Sequence, residues 1–497
     1  MIFRVLELNK SEFRSYRHCD WEQDVYTMTT PSRIDNNQMA QRVSQELTPG
    51  RAVALGPGLP GLVPGKMPPE SPILFLSEGG ALGYQGAPSG QELAAVDSSG
   101  QGVGLIPGGS ILSTIDVFAL VRGGYADTAV LQPAQVSAQG DFSHWTTAAT
   151  PALFSPGWAS DLANAPGKVI AILPHSRSDG NPNIVSQCTL PVDGPRCVGL
   201  IVTDVAVLKV GDEGLVLEEV APGWKADNVV AITGAPLSVS PNLREMSFEP
   251  VSAQLPNKVY SSGLAAIHDL PQGATIMIDG FAGPGGMPSY LMVALRDHGA
   301  GDLTLISNTA GIARVIGFGT PSGRLAIDHS ILVDNHQIKK AVASFPVSPS
   351  PSRPSSFELA LQRGEVEVEV VPQGTLAERI RAGAAGVAAF YTPTAAGTQI
   401  AEGKERRIFD GKEYILEEAL RADFCLIRGY KADTLGNIVY KGTSRNFNSV
   451  MAPAARTTII EVEQLVELGG LNPEEIVTPG VFIDRIVLRP PGFPGYE

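Results

Sequence analysis

Short apolar runs that stop at glycine or proline set the rhythm of this chain. In Ser71-Pro72-Ile73-Leu74-Phe75-Leu76-Ser77-Glu78-Gly79-Gly80 an apolar run of buried-strand length ends in a carboxylate, and glycines follow at once. Arg51-Ala52-Val53-Ala54-Leu55-Gly56-Pro57-Gly58-Leu59-Pro60 reads as a strand entering a glycine-proline turn. Ahead of it a helix is predicted from about Asn36 to Glu46. Further apolar runs stand at Val117–Val121, Lys168–Leu173 and Val198–Thr203. Strands that alternate with possible helical stretches predict a mostly parallel sheet covered on both faces.

The pattern breaks near residues 237–258, where Leu237–Asn242 is turn-rich and Pro250 and Pro256 follow. It then restarts in the same layout. A short helix at Leu264–His268 precedes a strand at Thr275–Asp279. The strand runs into Gly280-Phe281-Ala282-Gly283-Pro284-Gly285-Gly286-Met287-Pro288, and a helix starts near Ser289. The repeat of strand, glycine turn and proline predicts two related halves. The fold class expected is α/β, with two related open, mostly parallel sheet domains and helices on both faces. The expected boundaries are an extension over 1–33, a first domain over 34–240, a linker over 241–258 and a second domain over 259–490. The tract Ser348–Ser356 reads as an exposed loop inside the second half.

Composition narrows the partners. A net charge of −14 argues against non-specific binding to nucleic acid or to an anionic membrane, though not against a small basic pocket. No apolar run reaches the roughly 18 residues of a membrane span. Cys19, Cys188, Cys197 and Cys425 lack zinc-ligand or CxxC spacing. A Cys188–Cys197 disulfide is open, but reduced thiols in an intracellular enzyme are the expected state. The N-terminus has neither the apolar core nor the cleavage site of a secretory signal. No histidine pair has zinc-site spacing, and no metal site is expected.

Glu78 is the first chemical candidate. In an open α/β sheet, ligands bind at the carboxyl ends of strands. Glycines beside the carboxylate would let a bulky substrate approach the backbone, and a carboxylate held there can be a covalent nucleophile. A solvated Glu at a strand–turn boundary is the plainer alternative. The glycine turn at 280–288 could cradle phosphate at a helix N-terminus. It is neither a Rossmann fingerprint nor a P-loop, and a tight structural turn explains it equally well.

Longer strings carry a resemblance. Gly280–Pro288, Leu305–Gly311, Glu365–Val371, Pro372–Gly383, Ala389–Thr394, Lys431–Asn437 and Arg445–Asn448 resemble the α-type half of the family I coenzyme A transferases that act on 3-oxoacids. The first half resembles the β-type half. It does so through Gly56–Pro60, Ser77–Gly80, Arg122–Gly124, Gln135–Ser137, Gly140-Asp141 and Cys188–Pro191. Together they span about residues 34–490. The α-type half comes first in fused relatives, so the order here is reversed.

The resemblance implies that Glu78 is the catalytic glutamate and that Gln373 supplies a side-chain amide to the oxyanion. A backbone N–H near position 158 would be a second donor. Trp158, Asn308, Gly280, Gly283 and Gly286 are the implied substrate-binding positions. The chain departs from the pattern at Ala54, at Gly79 where Asn is usual, and at Trp158 where Gly is usual. The indole would narrow the acyl pocket, or it is simply a core aromatic. The implied activity moves coenzyme A from succinyl-CoA or acetyl-CoA to a 3-oxoacid or other short carboxylate. The CoA thioester is the substrate, with no cofactor. A thioester hydrolase or a non-catalytic acyl-CoA-binding protein are the alternatives. Acyl-CoA and small carboxylates are the expected partners, with no nucleic acid and no membrane. A cytoplasmic homodimer or homotetramer is the expected assembly.

Overall fold

The computed structural model describes residues 31–68, 71–86, 95–144, 157–165, 167–250, 255–279, 281, 286–317 and 320–496. The first half builds an eleven-stranded sheet. Its middle is parallel. Leu74–Leu76, Ala52–Leu55, Ala126–Leu131, Lys168–Ile172 and Val198–Val202 lie side by side in that order. Both flanks of this middle turn antiparallel, through Ala81–Gly86 on one side and Ala206–Gly211 on the other. Every residue of Ala52–Leu55 is buried, as a strand covered on both faces requires.

The second half builds a nine-stranded sheet. Ala422–Asp433, Thr275–Ile278, Leu303–Thr309, Ile338–Phe345 and Glu367–Val370 follow one another in it, all parallel. Glu367–Val370 is an edge strand, which explains its alternation of acidic and apolar residues. A separate three-stranded sheet, Ala389–Thr392, Lys412–Glu418 and Arg406–Phe409, projects from this half.

Three expectations change. Val117–Val121 is helical, within Thr114–Arg122; its buried residues Val117, Leu120 and Val121 follow a helical spacing of three and four. Leu237–Glu245 is a strand rather than a turn or the start of a linker. It pairs parallel with Gly214–Val220 at the edge of the first sheet, where Pro241 is tolerated because no further strand needs its N–H. Its Arg244 joins a cluster in which Arg42 of the Asn36–Ser44 helix forks onto Glu219 at 2.7 and 3.0 Å. Burial opposes the charge on Glu219, but the bonds from Arg42 and Arg244 hold its carboxyl below the usual range. Of the expected N-terminal extension, residues 1–30 lie outside the described residues. The stretch just beyond is docked, with Ile34 N–H donating to Asp204 O at 3.0 Å and Arg33 paired to the Asp204 side chain at 2.9 Å.

The polar Ser348–Ser356 tract is mainly loop, but Ser348 and Ser355 are buried. Ser355 caps the Ser356–Gln362 helix, and Glu358 accepts the N–H of both serines. Cys188, Cys197 and Cys425 are free thiols.

The halves share a closely packed boundary. Leu435 and Val481 of the second half sit in the core of the first. The Asn437 amide donates to Gly108 O at 2.9 Å. At the ends of the Thr114–Arg122 and Gln373–Ala384 helices the backbones nearly touch. A Cβ on Gly123 would lie 2.3 Å from Ala384 O.

Candidate active site

Glu78 lies two residues past the end of the Leu74–Leu76 strand, at the carboxyl edge of the parallel strands. Backbone bonds hold its turn. Ser77 N–H donates to Ala81 O at 2.9 Å, and Gly80 N–H returns to Ser77 O at 3.2 Å. Gly80 has φ +104°, and a Cβ there would sit 2.1 Å from Leu112 O, so a glycine is required. At Gly79 the nearest obstacle to a Cβ is Val96 Cγ2 at 3.5 Å, so the usual Asn would fit.

Neighbouring loops brace the turn. Ser98 Oγ accepts the Glu78 N–H at 3.4 Å and donates to Leu55 O at 2.7 Å. Ser99 Oγ and the Gln132 amide oxygen accept the N–H groups of Gly58 and Leu59 at 3.0 and 2.8 Å. The glycine-proline turn and the Glu78 turn are thus tied together. No local sequence signal marked Ser98, Ser99 or Gln132 for this role. The Glu78 side chain is exposed, and its carboxylate has no hydrogen bond or ion pair with any described residue. Partial burial in the loop cluster raises its carboxyl above the ordinary value. A carboxylate with unspent oxygens and reduced hydration is suited to nucleophilic attack.

The second sheet offers its own carboxyl edge. Asn308 sits near the end of Leu303–Thr309, and Gln373 opens the helix that follows Glu367–Val370. Register places Thr309 beside Phe345, and Val371 N–H bonds Ala343 O. Asn308 therefore stands two strands from the start of that helix, about 10 Å at the usual strand spacing. Its side-chain oxygen is buried with no partner among the described residues, which is uncommon without a ligand or water. Gln373 is half-buried and its amide is free of described partners.

Gly280 and Gly283 lie outside the described residues. Gly286 is described, and Asn448 ties it down. The Asn448 amide donates to Gly286 O at 3.0 Å and to the buried Asp279 carboxylate at 2.8 Å. The phosphate-cradle reading meets an obstacle at the Ser289–His298 helix. The buried carboxylate of Glu461 already accepts Leu291 N–H there at 2.9 Å. Arg489 pairs with the same carboxylate. A chain-supplied anion occupies that helix end, so structural closure explains this part of the turn.

Trp158 is 4% exposed and packs edge-on against Phe118, with ring centroids 6.5 Å apart. The indole belongs to the first core, as the packing reading expects, with no described contact to Glu78. Its backbone N–H donates to no described residue. No described hydrogen bond joins Glu78 to Gln373, Asn308 or Gly286. The second half does reach the vicinity of the Glu78 turn. Pro473 O accepts Ile111 N–H at 3.4 Å, and the neighbouring Leu112 N–H bonds Gly80 O at 2.8 Å. Among the described residues no group of three or more His, Cys, Asp or Glu side chains could hold a metal ion, and no helix is long and apolar enough to cross a membrane.

Comparison with known proteins assigns the class. The model of the Coenzyme A transferase family matches residues 36–231 and again 262–489, and the chain belongs to that family. It is a CoA-transferase. It is 45% identical over 231 residues to one of the subunits of the 3-oxoadipate CoA-transferase of Pseudomonas putida, covering 46% of this chain and 93% of that one. It is 43% identical over 231 residues to one of the subunits of the probable succinyl-CoA:3-ketoacid coenzyme A transferase of Bacillus subtilis, covering 46% and 90%. Among solved structures, an acyl-CoA transferase of Escherichia coli O157:H7 aligns over 47% of this chain and 50% of its own, at 21% identity and TM-score 0.40.

Proposed function

We propose that this transferase moves coenzyme A from succinyl-CoA or acetyl-CoA to a 3-oxoacid or another short carboxylate, with Glu78 as the covalent carrier. The observation that carries the proposal is the exposed, unpaired Glu78 carboxylate on a rigid turn at a strand end. The substrate class is supported by the relatives named for 3-oxoadipate and for succinyl-CoA with 3-ketoacids.

The chemistry is a pair of exchanges. A Glu78 oxygen attacks the thioester carbonyl, and the C–S bond breaks to give an acyl-glutamyl anhydride and CoA thiolate. The thiolate then attacks the glutamyl carbonyl. The donor acid leaves as its carboxylate, and Glu78 holds CoA as a thioester. The acceptor carboxylate repeats the steps in reverse and departs as a new acyl-CoA. Each tetrahedral stage carries an oxyanion that preorganised donors stabilise. The free Gln373 amide and the backbone N–H of Trp158 are the donors proposed, with Asn308 beside the acyl group. No separate cofactor enters these steps.

In this reading 34–240 and 259–490 act as two domains that each contribute one side of the site. A cytoplasmic homodimer or homotetramer completes the proposal, and light scattering on the purified chain tests the assembly. Incubation with succinyl-CoA or acetyl-CoA and no acceptor tests the mechanism. The chain should gain the mass of CoA less water, located at Glu78 by peptide mass spectrometry. No adduct with either donor would overturn it.

A further inference from the structure

The opposite, amino-end edge of both sheets also carries a cavity. A cavity of about 460 Å³ opens at the boundary between the halves. Arg51 and Gly123–Tyr125 line it from the first half, and Thr275, Arg421–Asp423 and Pro453–Arg456 line it from the second. These residues lie at the amino ends of strands. Arg51 precedes Ala52–Leu55, Tyr125 precedes Ala126–Leu131, and Arg421 precedes Ala422–Asp433. Leu76, the strand end that leads to Glu78, lies about 10 Å farther along the strand direction than Arg51, from three residues at roughly 3.3 Å each.

Arg51, Arg421 and Arg456 are exposed at this cavity, and none of their side chains has an ion pair or hydrogen bond with any described residue. Asp423 is the one carboxylate in the lining, and one of its oxygens already accepts Thr275 N–H at 3.0 Å. Asp127 and Asp484 act on Arg51 from outside the lining, without an ion pair. Guanidinium groups that face one space repel each other, and an anion between them relieves that repulsion. Their flat donor forks match phosphoryl oxygens in pairs. The volume falls in the range of small-molecule sites and exceeds the needs of a single phosphate.

We infer that this cavity binds a phosphorylated small molecule with at least two anionic groups, bridging the two halves at a site separate from the CoA-transfer site. The inference stands on the arginine cluster and does not depend on the role of Glu78.

Inorganic pyrophosphate is the minimal probe, measured by calorimetry on the full chain at low ionic strength. The wild type should bind it once, saturably, below millimolar. Arg421→Gln and Arg456→Gln should each weaken binding roughly tenfold. Arg456→Lys should fall between, because it keeps the charge and loses the fork. Saturating CoA should leave the affinity within twofold, as should Glu78→Gln. Three results would overturn the inference: no saturable binding up to several millimolar, wild-type affinity in both glutamine variants, or displacement by CoA. Citrate binding more tightly than pyrophosphate would overturn the phosphoryl assignment. Circular dichroism checks that each variant is folded. If a glutamine variant is not, Arg421→Lys and Arg456→Lys carry the test, and affinity equal to wild type in both sinks the idea.

Discussion

Two strands of this protein end in a carboxylate followed by glycine, and they put it to opposite uses. Leu74–Leu76 leads to Glu78, which is exposed and makes no described side-chain bond. Thr275–Ile278 leads to Asp279, which is fully buried and accepts from the Asn448 amide at 2.8 Å and from Phe281 N–H at 3.1 Å. The first turn is closed by its own backbone and by the Ser77 and Ser98 side chains, so its carboxylate is left over. The second turn uses its carboxylate as the closure. A strand-end acid becomes available for chemistry only where other groups satisfy the loop around it.

The strongest way to break this comparison is Glu78→Gln. The amide keeps the shape and loses the nucleophile, so kcat with any donor and acceptor should fall by about 10⁴-fold or more. Residual turnover near wild type would show that the exposed carboxylate is a bystander. Gln373→Ala sharpens the comparison by asking what the second half contributes to the first. Loss of one oxyanion donor should lower kcat by roughly 10²–10³. An unchanged kcat with an altered KM would make Gln373 a binding residue.

Asn448→Ala tests the tied turn. It leaves the buried Asp279 carboxylate and Gly286 O short of a donor, which should cost about 2 kcal/mol in urea unfolding. If the loss is negligible while turnover collapses, Asp279 belongs to the chemistry after all.

The smallest expected effects are in pH. The folded carboxyl of Glu78 sits above its ordinary value of 4.5, through partial burial. Attack needs the ionised form, so kcat/KM should fall on the acid side through a midpoint above 4.5. The folded chain also holds that proton more tightly than the unfolded chain. Stability contributed by this group is therefore present at low pH and lost as pH rises through the same window. Glu78→Gln should remove the dependence in stability, read by urea unfolding across pH. A rate that stays flat down to the ordinary carboxylate range would contradict the raised position.

Much of the design was legible before folding was considered. Apolar runs with strand length, bounded by glycine and proline, marked Ala52–Leu55, Leu74–Leu76, Lys168–Ile172 and Thr275–Ile278, because buried parallel strands need continuous apolar residues. Val117–Val121 reads as a strand for the same reason and is a helix, since a short apolar run suits a buried helix equally well. Leu237–Asn242 reads as a turn because edge strands tolerate polar residues and proline. The family strings point to Glu78, Gln373 and Asn308. They could not show which carboxylate would be left unpaired.

The sequence by itself determined the α/β class, the doubled layout and the glutamate at a strand end, because periodicity and glycine placement act over a few residues. Only the tertiary structure decided that Glu461 closes the Ser289–His298 helix, that Trp158 packs on Phe118, and that Arg51 meets Arg421 and Arg456 around one cavity. Those groups are far apart in the chain, and no local rule records which strand ends will be brought together.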